Sequence, residues 1–272
     1  MKTSINILLV FLFAACTSVP DERMTPYVDF PETRELTART LSLDSALFRY
    51  PYRVRVQDDK AVVLDLHGTE YFFHAFHYPG FHYLSSFGKR GDAPEEMLSA
   101  ENLRWNGNFL WTLDSNKSEL TRLGFASSGD SLLRLEAVSL DEELLRALDF
   151  VQYDDSTFII PDYSGDSRFC LVSRQGKLLH KIGTIPTTDE DALKNAHPAL
   201  AQAWRSFIDY NPRNGVLAAV TQLGEVLEIY NLKDSTHIVR IGPNGEPEFQ
   251  ISQGYGIPTG IMGFSDIQVT DS

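Results

Sequence analysis

Residues 88–95 read GKRGDAPE, and residues 242–249 read GPNGEPEF. Both stretches follow a strand-like run and share the order Gly-x-x-Gly, an acidic residue, and then Pro-Glu. A phosphate-binding glycine loop is followed by a helix N-terminus, but further strand-like runs follow here, and only the first copy contains a Lys-Arg pair. The recurrence therefore predicts a structural connector between repeated units. Its glycines are expected to form left-handed turns after an outer strand; they are Gly88, Gly91, Gly242 and Gly245.

Four sets of four strand-like runs lie around these connectors. The runs are short, rich in β-branched and aromatic residues, and separated by polar turns such as Asn106-Gly107. The last runs of the four sets end at residues 88, 137, 183 and 242, which gives spacings of 49, 46 and 59 residues. Four-stranded units at this period are typical of a β-propeller, because each meander has two apolar faces that its neighbours must cover. The sequence predicts an all-β protein with four complete blades and partial ones beside them.

Three further segments belong to the predicted propeller domain, residues 35–272. Thr188 to Asp191 can cap a helix and Pro198 interrupts it, so a helical insertion is expected at about residues 188–204. Residues 35–43 are expected to add an outermost strand that closes the ring, and residues 263–271 to begin a fifth unit. Six blades need on the order of 80–100 more residues at this repeat length. We therefore expect a truncated reading frame, with a five-unit ring as the alternative.

The N-terminal segment has the features of a secretion signal. Lys2 precedes an apolar run of nine residues, Ile7 to Ala15, which is shorter than the roughly 20 residues of a bilayer span. The run ends in Ala14-Ala15-Cys16, which resembles the lipobox of bacterial lipoproteins. That resemblance implies a signal peptide over residues 1–15, acylation of Cys16 and a tether over residues 16–34. It also implies an outer-membrane lipoprotein of the cell envelope, on the periplasmic or surface face; a plain secretory signal is the alternative.

Composition restricts the partners. The formal net charge of −13 opposes nucleic-acid binding, which needs a concentrated basic surface. The only other cysteine, Cys170, lies between Phe169 and Leu171, and we expect a buried strand thiol rather than a nucleophile.

The connector FGKRGDAPEEM (residues 87–97) and the strand ends VVLDL (62–66) and LWTLD (110–114) resemble those of the NHL and TolB-like six-bladed propellers. Together with the lipoprotein signal, they resemble the six-bladed propeller lipoproteins of Bacteroidetes over about residues 36–272. This resemblance implies a fold and an envelope location, and its motifs specify no activity.

Acidic residues recur with the units. Asp65, Asp114 and Asp162 end the second strands, where a carboxylate can accept the N–H groups of a turn. About twelve residues before each second-strand end, the innermost strands carry Arg53, Asn102, Asp149, Asp209 and Asp266.

Carboxylate and amide oxygens at one level of a central channel suit Ca²⁺ or an organic cation. The candidate ligands are Asn102, Asp149, Asp209 and Asp266. Solvation of polar strand ends in a wet channel is favoured over a ligand or metal site, and Arg53 at the same level opposes a metal, so no cofactor is assigned and Ca²⁺ is the alternative.

Four histidines of the first set lie among aromatic residues: His67, His74, His77 and His82. Residues three apart on a strand point to opposite faces, so these histidines favour an aromatic outer surface for a partner over a zinc site.

No Gly-x-Ser-x-Gly, HExxH, phosphate-loop or dinucleotide fingerprint is present, so no catalytic residue is assigned. A lipoprotein whose propeller binds a protein, peptide or glycan is favoured over an enzyme. The alternatives are a metal-dependent hydrolase or lyase that uses the channel aspartates, and a non-functional truncated product.

Overall fold

The computed structural model describes residues 24–30, 32–41, 43, 48–252 and 255–271. The expected signal peptide, Cys16 and the first part of the tether lie outside the described residues.

Four antiparallel meanders follow a short first strand, β1 (Met24–Pro26). Blade 1 contains β2 (Pro51–Gln57), β3 (Lys60–Asp65), β4 (Tyr71–His77) and β5 (His82–Lys89). Blade 2 contains β6 (Asn102–Asn106), β7 (Phe109–Asp114), β8 (Glu119–Phe125) and β9 (Leu132–Ser139). Blade 3 contains β10 (Val151–Asp154), β11 (Thr157–Pro161), β12 (Phe169–Ser173) and β13 (Leu178–Ile182).

Two helices, α1 (Glu190–Asn195) and α2 (His197–Ala203), lie between blades 3 and 4, within the segment where helices were expected. Blade 4 contains β14 (Ser206–Asn211), β15 (Val216–Thr221), β16 (Val226–Asn231) and β17 (Thr236–Ile241). A hairpin of β18 (Phe249–Ser252) and β19 (Tyr255–Pro258) follows. Each blade pairs its strands in chain order, which confirms the predicted four-stranded units.

The core lies between the blades. Second strands such as β7 and β11 are buried along nearly their whole length, because adjacent blades cover both of their faces. This is why these runs read as continuous apolar stretches rather than alternating ones. Between blades 1 and 2 the core includes Leu64, Phe73, Leu103 and Leu110. Between blades 2 and 3 it includes Trp111, Phe150 and Phe158. Between blades 3 and 4 it includes Ile159, Ile208 and Leu217.

The blades present two rims with different loops. The connector face carries the blade-to-blade connectors and the turns between second and third strands; it includes residues 90–101, 140–150, 162–168, 183–205 and 222–225. The hairpin face carries the remaining turns, which join first to second and third to fourth strands. Both helices belong to the connector face, where the Asp189 carboxylate caps α1 by accepting the Ala192 N–H at 2.9 Å.

A buried ion pair joins blade 3 to blade 4. The Arg168 guanidinium donates to the Glu228 carboxylate through Nη2 at 2.6 Å and Nε at 2.9 Å. Its remaining N–H groups donate to the Ser206 hydroxyl at 2.6 Å and the Trp204 carbonyl at 3.4 Å. The Tyr230 hydroxyl donates to the second oxygen of Glu228 at 2.5 Å. Arg168 is 3% exposed and Glu228 is fully buried, so neither charge has water as an alternative partner.

Two expectations about the N-terminal part of the propeller domain are corrected by the structure. β1 lies within the predicted tether, yet it pairs in parallel with β17, Thr25 opposite Arg240, and gives blade 4 a fifth strand. Residues 35–43, expected to supply an outermost strand, form none in their described part, 35–41 and 43. Leu36 is 87% exposed there, whereas Leu43 packs against Ala61, Val63 and Phe76 of blade 1, so the segment contacts this blade through a side chain without pairing as a strand.

Residues 263–271 were expected to form the first strand of a fifth unit, and no strand is assigned to them. They run beside blade 4, where the Gly263 and Phe264 N–H groups donate to the Gln222 and Thr221 carbonyls at 2.8 and 3.1 Å. Further along, the Val269 N–H donates to a side chain, the Asp209 carboxylate, at 2.7 Å. The Val269 N–H therefore donates to a side-chain carboxylate, whereas in a regular β-ladder it would donate to a backbone carbonyl.

The repeated connector uses its glycines in two ways. Gly88 and Gly245 have φ angles of 64° and 69°, the left-handed region that glycine reaches without a Cβ clash. Gly242 has no positive φ, contrary to the expectation; a Cβ there would lie 2.5 Å from the Glu225 carboxylate. At Gly91, where φ is 159°, a Cβ would overlap the Glu96 side chain. The pattern therefore reflects both turn conformation and close packing.

Candidate functional site

The inner strands of three blades meet at one arginine. Arg104, on β6, donates through Nη1 to the Asp209 carboxylate at 2.6 Å and through Nη2 to the Asp149 carboxylate at 3.2 Å. Its Nε donates to the Phe150 carbonyl at 2.9 Å, and Nη2 also donates to the Ile208 carbonyl. One side chain of blade 2 therefore reaches blades 3 and 4, which places these strands around a common axis.

The Asp149 carboxylate is fully occupied by protein partners. It accepts the Phe150 N–H at 2.7 Å and the Ile208 N–H at 3.0 Å, in addition to Arg104 and the side-chain amide of Asn102. Burial by itself lowers the pKa of Arg104, but the nearby Asp149 and Asp209 charges outweigh it, and the net pKa is raised. The guanidinium is thus held charged inside the protein.

A second charged group lies beside blade 1. Arg53 Nη2 lies 3.3 Å from the Asp266 carboxylate, and Arg55 donates to both oxygens of that carboxylate at 2.7 and 2.9 Å. Burial raises the pKa of Asp266, but the hydrogen bonds from Arg55 and the charge of Arg53 hold it below its usual value. Segment 263–271 thereby bridges the inner strands of blades 4 and 1.

The strand register places the residues of the predicted channel ring at two different levels. Arg53 and Asn102 pair with the residues that precede Asp65 and Asp114, at one level. In blade 4 the residue at that level is Phe207, opposite Val220, and Asp209 lies two residues further along. The cause is hairpin length: residues 212–215 separate β14 from β15, whereas residues 107–108 suffice between β6 and β7.

The four candidate ligands therefore fall into two arginine-paired groups: Asn102, Asp149 and Asp209 around Arg104, and Asp266 beside Arg53 and Arg55. Across the described ranges, no group of three or more His, Cys, Asp or Glu side chains is arranged to hold a metal ion. Calcium binding stays a prediction from sequence.

The second-strand aspartates fasten incoming connectors. Asp65 accepts the Arg49 and Tyr50 N–H groups at 2.8 and 2.7 Å, ahead of β2. Asp114 accepts the Leu98 N–H at 2.7 Å ahead of β6, and also the N–H groups of the turn that follows it. Asp162 accepts the Ser164 N–H at 2.9 Å within its own turn. Two of the three carboxylates thus bind a connector, a role beyond the predicted turn.

The histidines of blade 1 have separate environments. His74 Nδ1 is 2.8 Å from the Ser86 hydroxyl, and burial lowers the pKa of His74. His77 Nε2 is 3.4 Å from Asp59, and His67 packs against the Tyr50 ring on the connector face.

In blade 3, burial raises the pKa of the Cys170 thiol to about 12, which leaves it protonated and unreactive at neutral pH.

A cleft of about 490 Å³ opens on the connector face between blades 3 and 4. Five separate segments line it: the connector after blade 2, the turn after β11, the end of α2, the turn after β15, and the chain after β19. Apolar lining comes from Leu145, Leu148, Leu223 and Met262. We refer to this site as the rim cleft.

Polar groups in the rim cleft include two arginines, and no Asp or Glu is among the described residues that line it. Arg146 has a φ of 47°, in the left-handed region that non-glycine residues seldom adopt. The Arg205 guanidinium lies 3.7 Å from the Glu101 carboxylate, its one ion-pair partner among the described residues. The buried Tyr163 hydroxyl makes no hydrogen bond of normal geometry within the described chain, although the Ser206 backbone approaches it. Burial raises the pKa of Tyr163 to about 12, so its hydroxyl remains a donor.

Comparison with known proteins identifies the family. The profile of the TolB-like 6-blade propeller-like family matches residues 29–272. The chain belongs to this TolB-like family. Among solved structures, the TolB-like chain is similar to an exported protein of Bacteroides fragilis, with a TM-score of 0.51 and 13% identity over 74% of this chain and 54% of that one. A member of the duf4221 family from Bacteroides vulgatus gives a TM-score of 0.49 and 12% identity over 80% of this chain and 65% of that one.

The likeness to the B. fragilis structure shows the fold alone, and the TolB-like chain spans little more than half of that structure. No curated protein matches the sequence at a significant level. In the part of the TolB-like chain that the structure describes, no helix has the length and apolar character of a membrane span.

Sequence reasoning missed the two arrangements that now define this TolB-like chain. Arg104 stands two residues after the predicted Asn102, and a search for acidic residues passes over it. The rim cleft has no local signature, because its lining is contributed by five connectors and turns. The only signal was the position of Arg205, directly after the predicted helical insertion.

Proposed function

We propose that this TolB-like propeller is an exported, lipid-anchored protein that binds a protein partner through its connector face. The observation that carries the proposal is the exposure of large apolar side chains around the rim cleft. Leu145 is 54% exposed, and Ile261 and Met262 are 62% and 64% exposed. Exposed apolar groups that surround a concave site are a feature of interaction surfaces.

The channel offers less support for a catalytic role. A general acid, base or metal ligand needs a free lone pair or proton facing a substrate. The Asp149 carboxylate is saturated by backbone N–H groups, Asn102 and Arg104, and Asp209 is divided between Arg104 and the Val269 N–H. These groups hold blades together, and the binding role is the better interpretation.

Export and anchoring are supported by the N-terminal sequence. Small residues precede Cys16 directly after a short apolar run. The B. fragilis protein to which the fold is similar is described as exported. An outer-membrane lipoprotein, on the periplasmic or surface face, is the location we propose.

The connector face can be tested by photo-crosslinking in intact cells. We expect a photoreactive phenylalanine analogue at Leu145 or Met262 to give a discrete covalent adduct with an envelope protein, detected by mobility shift. Matched positions on the hairpin face are Phe109 and Leu133, which are 39% and 52% exposed. Adducts of equal yield at both faces would contradict the proposal.

Lipid anchoring is tested at Cys16. Cys16→Ser is expected to abolish incorporation of labelled palmitate and to move the protein from the membrane fraction to the soluble fraction, because the acylated sulfur is lost. Cys170→Ser is the matched control, since this buried thiol is expected to leave labelling intact. Retention of the label in Cys16→Ser rules out this anchor.

A further inference from the structure

We propose that the rim cleft binds the C-terminal carboxylate of a peptide chain whose last side chain is apolar. This inference rests on the proposed function and specifies the chemistry that the connector face recognises. Four features of the cleft lead to it: its charge, its unpaired amide groups, its orphan hydroxyl and its apolar walls.

The charge of the cleft is opposite to that of the protein. The chain carries a formal net charge of −13, yet the described residues that line the cleft include Arg146 and Arg205 and no carboxylate. Within the described ranges the Arg146 guanidinium has no hydrogen-bond or ion-pair partner, and Arg205 has only the distant Glu101. A planar guanidinium binds a carboxylate through two parallel hydrogen bonds, so the site selects an organic anion.

Amide groups point to a peptide rather than a simple acid. The side-chain amides of Gln202 and Gln222 line the cleft, and no hydrogen bond within the structurally described chain engages either of them. Each amide offers a donor and an acceptor, which is the complement of a peptide backbone. The orphan Tyr163 hydroxyl adds a further donor. Beyond its carboxylate, a fatty acid carries no group that would use these amides.

The walls accommodate an apolar side chain. Leu148 and Leu223 are 9% and 7% exposed, so they form a floor that is already closed to bulk water. Leu145 and Met262 stand more exposed at the edge of the cleft. A volume of about 490 Å³ lies within the range of sites that enclose small ligands. Burial of a terminal apolar side chain on this floor would accompany capture of the carboxylate.

Isothermal titration of the full-length protein in detergent tests the inference with three probes. The first is an acetylated pentapeptide, Gly-Ser-Ala-Leu-Leu, with a free carboxylate; the second is the same peptide as its C-terminal amide; the third is decanoate. We expect the acid peptide to bind and the amide to bind roughly ten- to hundredfold more weakly, because charge-assisted hydrogen bonds are lost. Decanoate is expected to bind more weakly than the acid peptide.

Variants of the protein locate the site. Arg205→Gln and Arg146→Gln are each expected to weaken binding of the acid peptide at least about tenfold while leaving the amide unchanged. Arg34→Gln is the matched control and should bind as the parent does, because Arg34 is exposed, does not line the cleft and, among the described residues, forms its ion pair with Glu32. Because the amide comparison needs no substitution, it remains decisive even if a variant folds poorly.

Each other outcome overturns the inference. Equal affinity for acid and amide removes the carboxylate from recognition, tighter binding of decanoate identifies a lipid anion instead, and no binding at millimolar peptide excludes this ligand class. In all three cases position-dependent crosslinking at Leu145 and Met262 can still succeed. Failure of the ligand class and failure of the proposed function are therefore separate results.

Discussion

Arg168→Ala is expected to lower the free energy of unfolding by about 3–5 kcal/mol, because it leaves the Glu228 carboxylate buried without its counter-charge. The same substitution removes the donors to Ser206 and Trp204, so the contact between blade 3 and the end of α2 is lost as well. Urea unfolding of the full chain, followed by tryptophan fluorescence, measures the change. Trp204 is buried beside the guanidinium, 6.0 Å from ring centroid to Cζ, and reports this region directly.

The control is Arg134→Ala. Arg134 pairs with Glu119 at 2.8 Å, but its side chain is 29% exposed, and we expect a change of about 1 kcal/mol or less. A loss at Arg168 no larger than the loss at Arg134 would show that the buried pair is unimportant for stability.

Low pH is expected to reduce the contribution of the Arg168–Glu228 pair to the stability of the fold. Burial raises the pKa of Glu228, but the Arg168 charge and the hydrogen bonds from neighbouring side chains outweigh it, and the net pKa lies below its usual value. A depressed carboxylate contributes stability that is present above its unfolded pKa of about 4.3 and is lost as pH falls through the folded value. The difference in stability between the parent and Glu228→Gln is therefore expected to shrink below about pH 4.

Arg104→Met is the second substitution with a large expected effect, again about 3–5 kcal/mol, since the buried Asp149 and the half-buried Asp209 would both lose the guanidinium that pairs with them. Arg122→Met is the matched control on blade 2, because Arg122 is 28% exposed and pairs with a partly exposed Glu136. The measurement is again urea unfolding. A small effect would mean that the inner strands are held by packing alone.

A double substitution separates pairing from packing. Asp149→Asn in the Arg104→Met background removes one of the stranded charges, so the double variant should be more stable than the sum of the single changes predicts, by at least about 1 kcal/mol. Strict additivity would indicate that Asp149 and Arg104 do not interact in solution.

The local sequence pattern was sufficient to predict the strands of the four blades. Runs such as KAVVLD of β3 and VLAAVT of β15 are apolar, short and bounded by turn residues, and their structure depends mostly on neighbours along the chain. β1 escaped prediction because MTP has no periodicity, and its partner lies 215 residues away, as the Thr25–Arg240 contact shows.

The candidate site was less accessible to sequence reasoning. Asp149 was identified as a channel residue, but its counter-charge was not, because charge pairing between distant strands leaves no local pattern. Asp209 was assigned to the wrong level, since counting residues assumes equal hairpins and the β14–β15 turn is longer. The rim cleft depends on how five loops converge, a property of the whole ring.

The direction of β1 also determines from which rim a lipid anchor would tether the propeller. β1 runs parallel to β17, which ends on the connector face, so the chain enters β1 from the opposite rim. Residues 17–23 join Cys16 to Met24 and can extend over at most about 25–30 Å. An acyl group at Cys16 would keep the outer edge of blade 4 within that distance of the lipid headgroups. The rim cleft would then lie on the rim opposite the one from which the anchored chain enters β1.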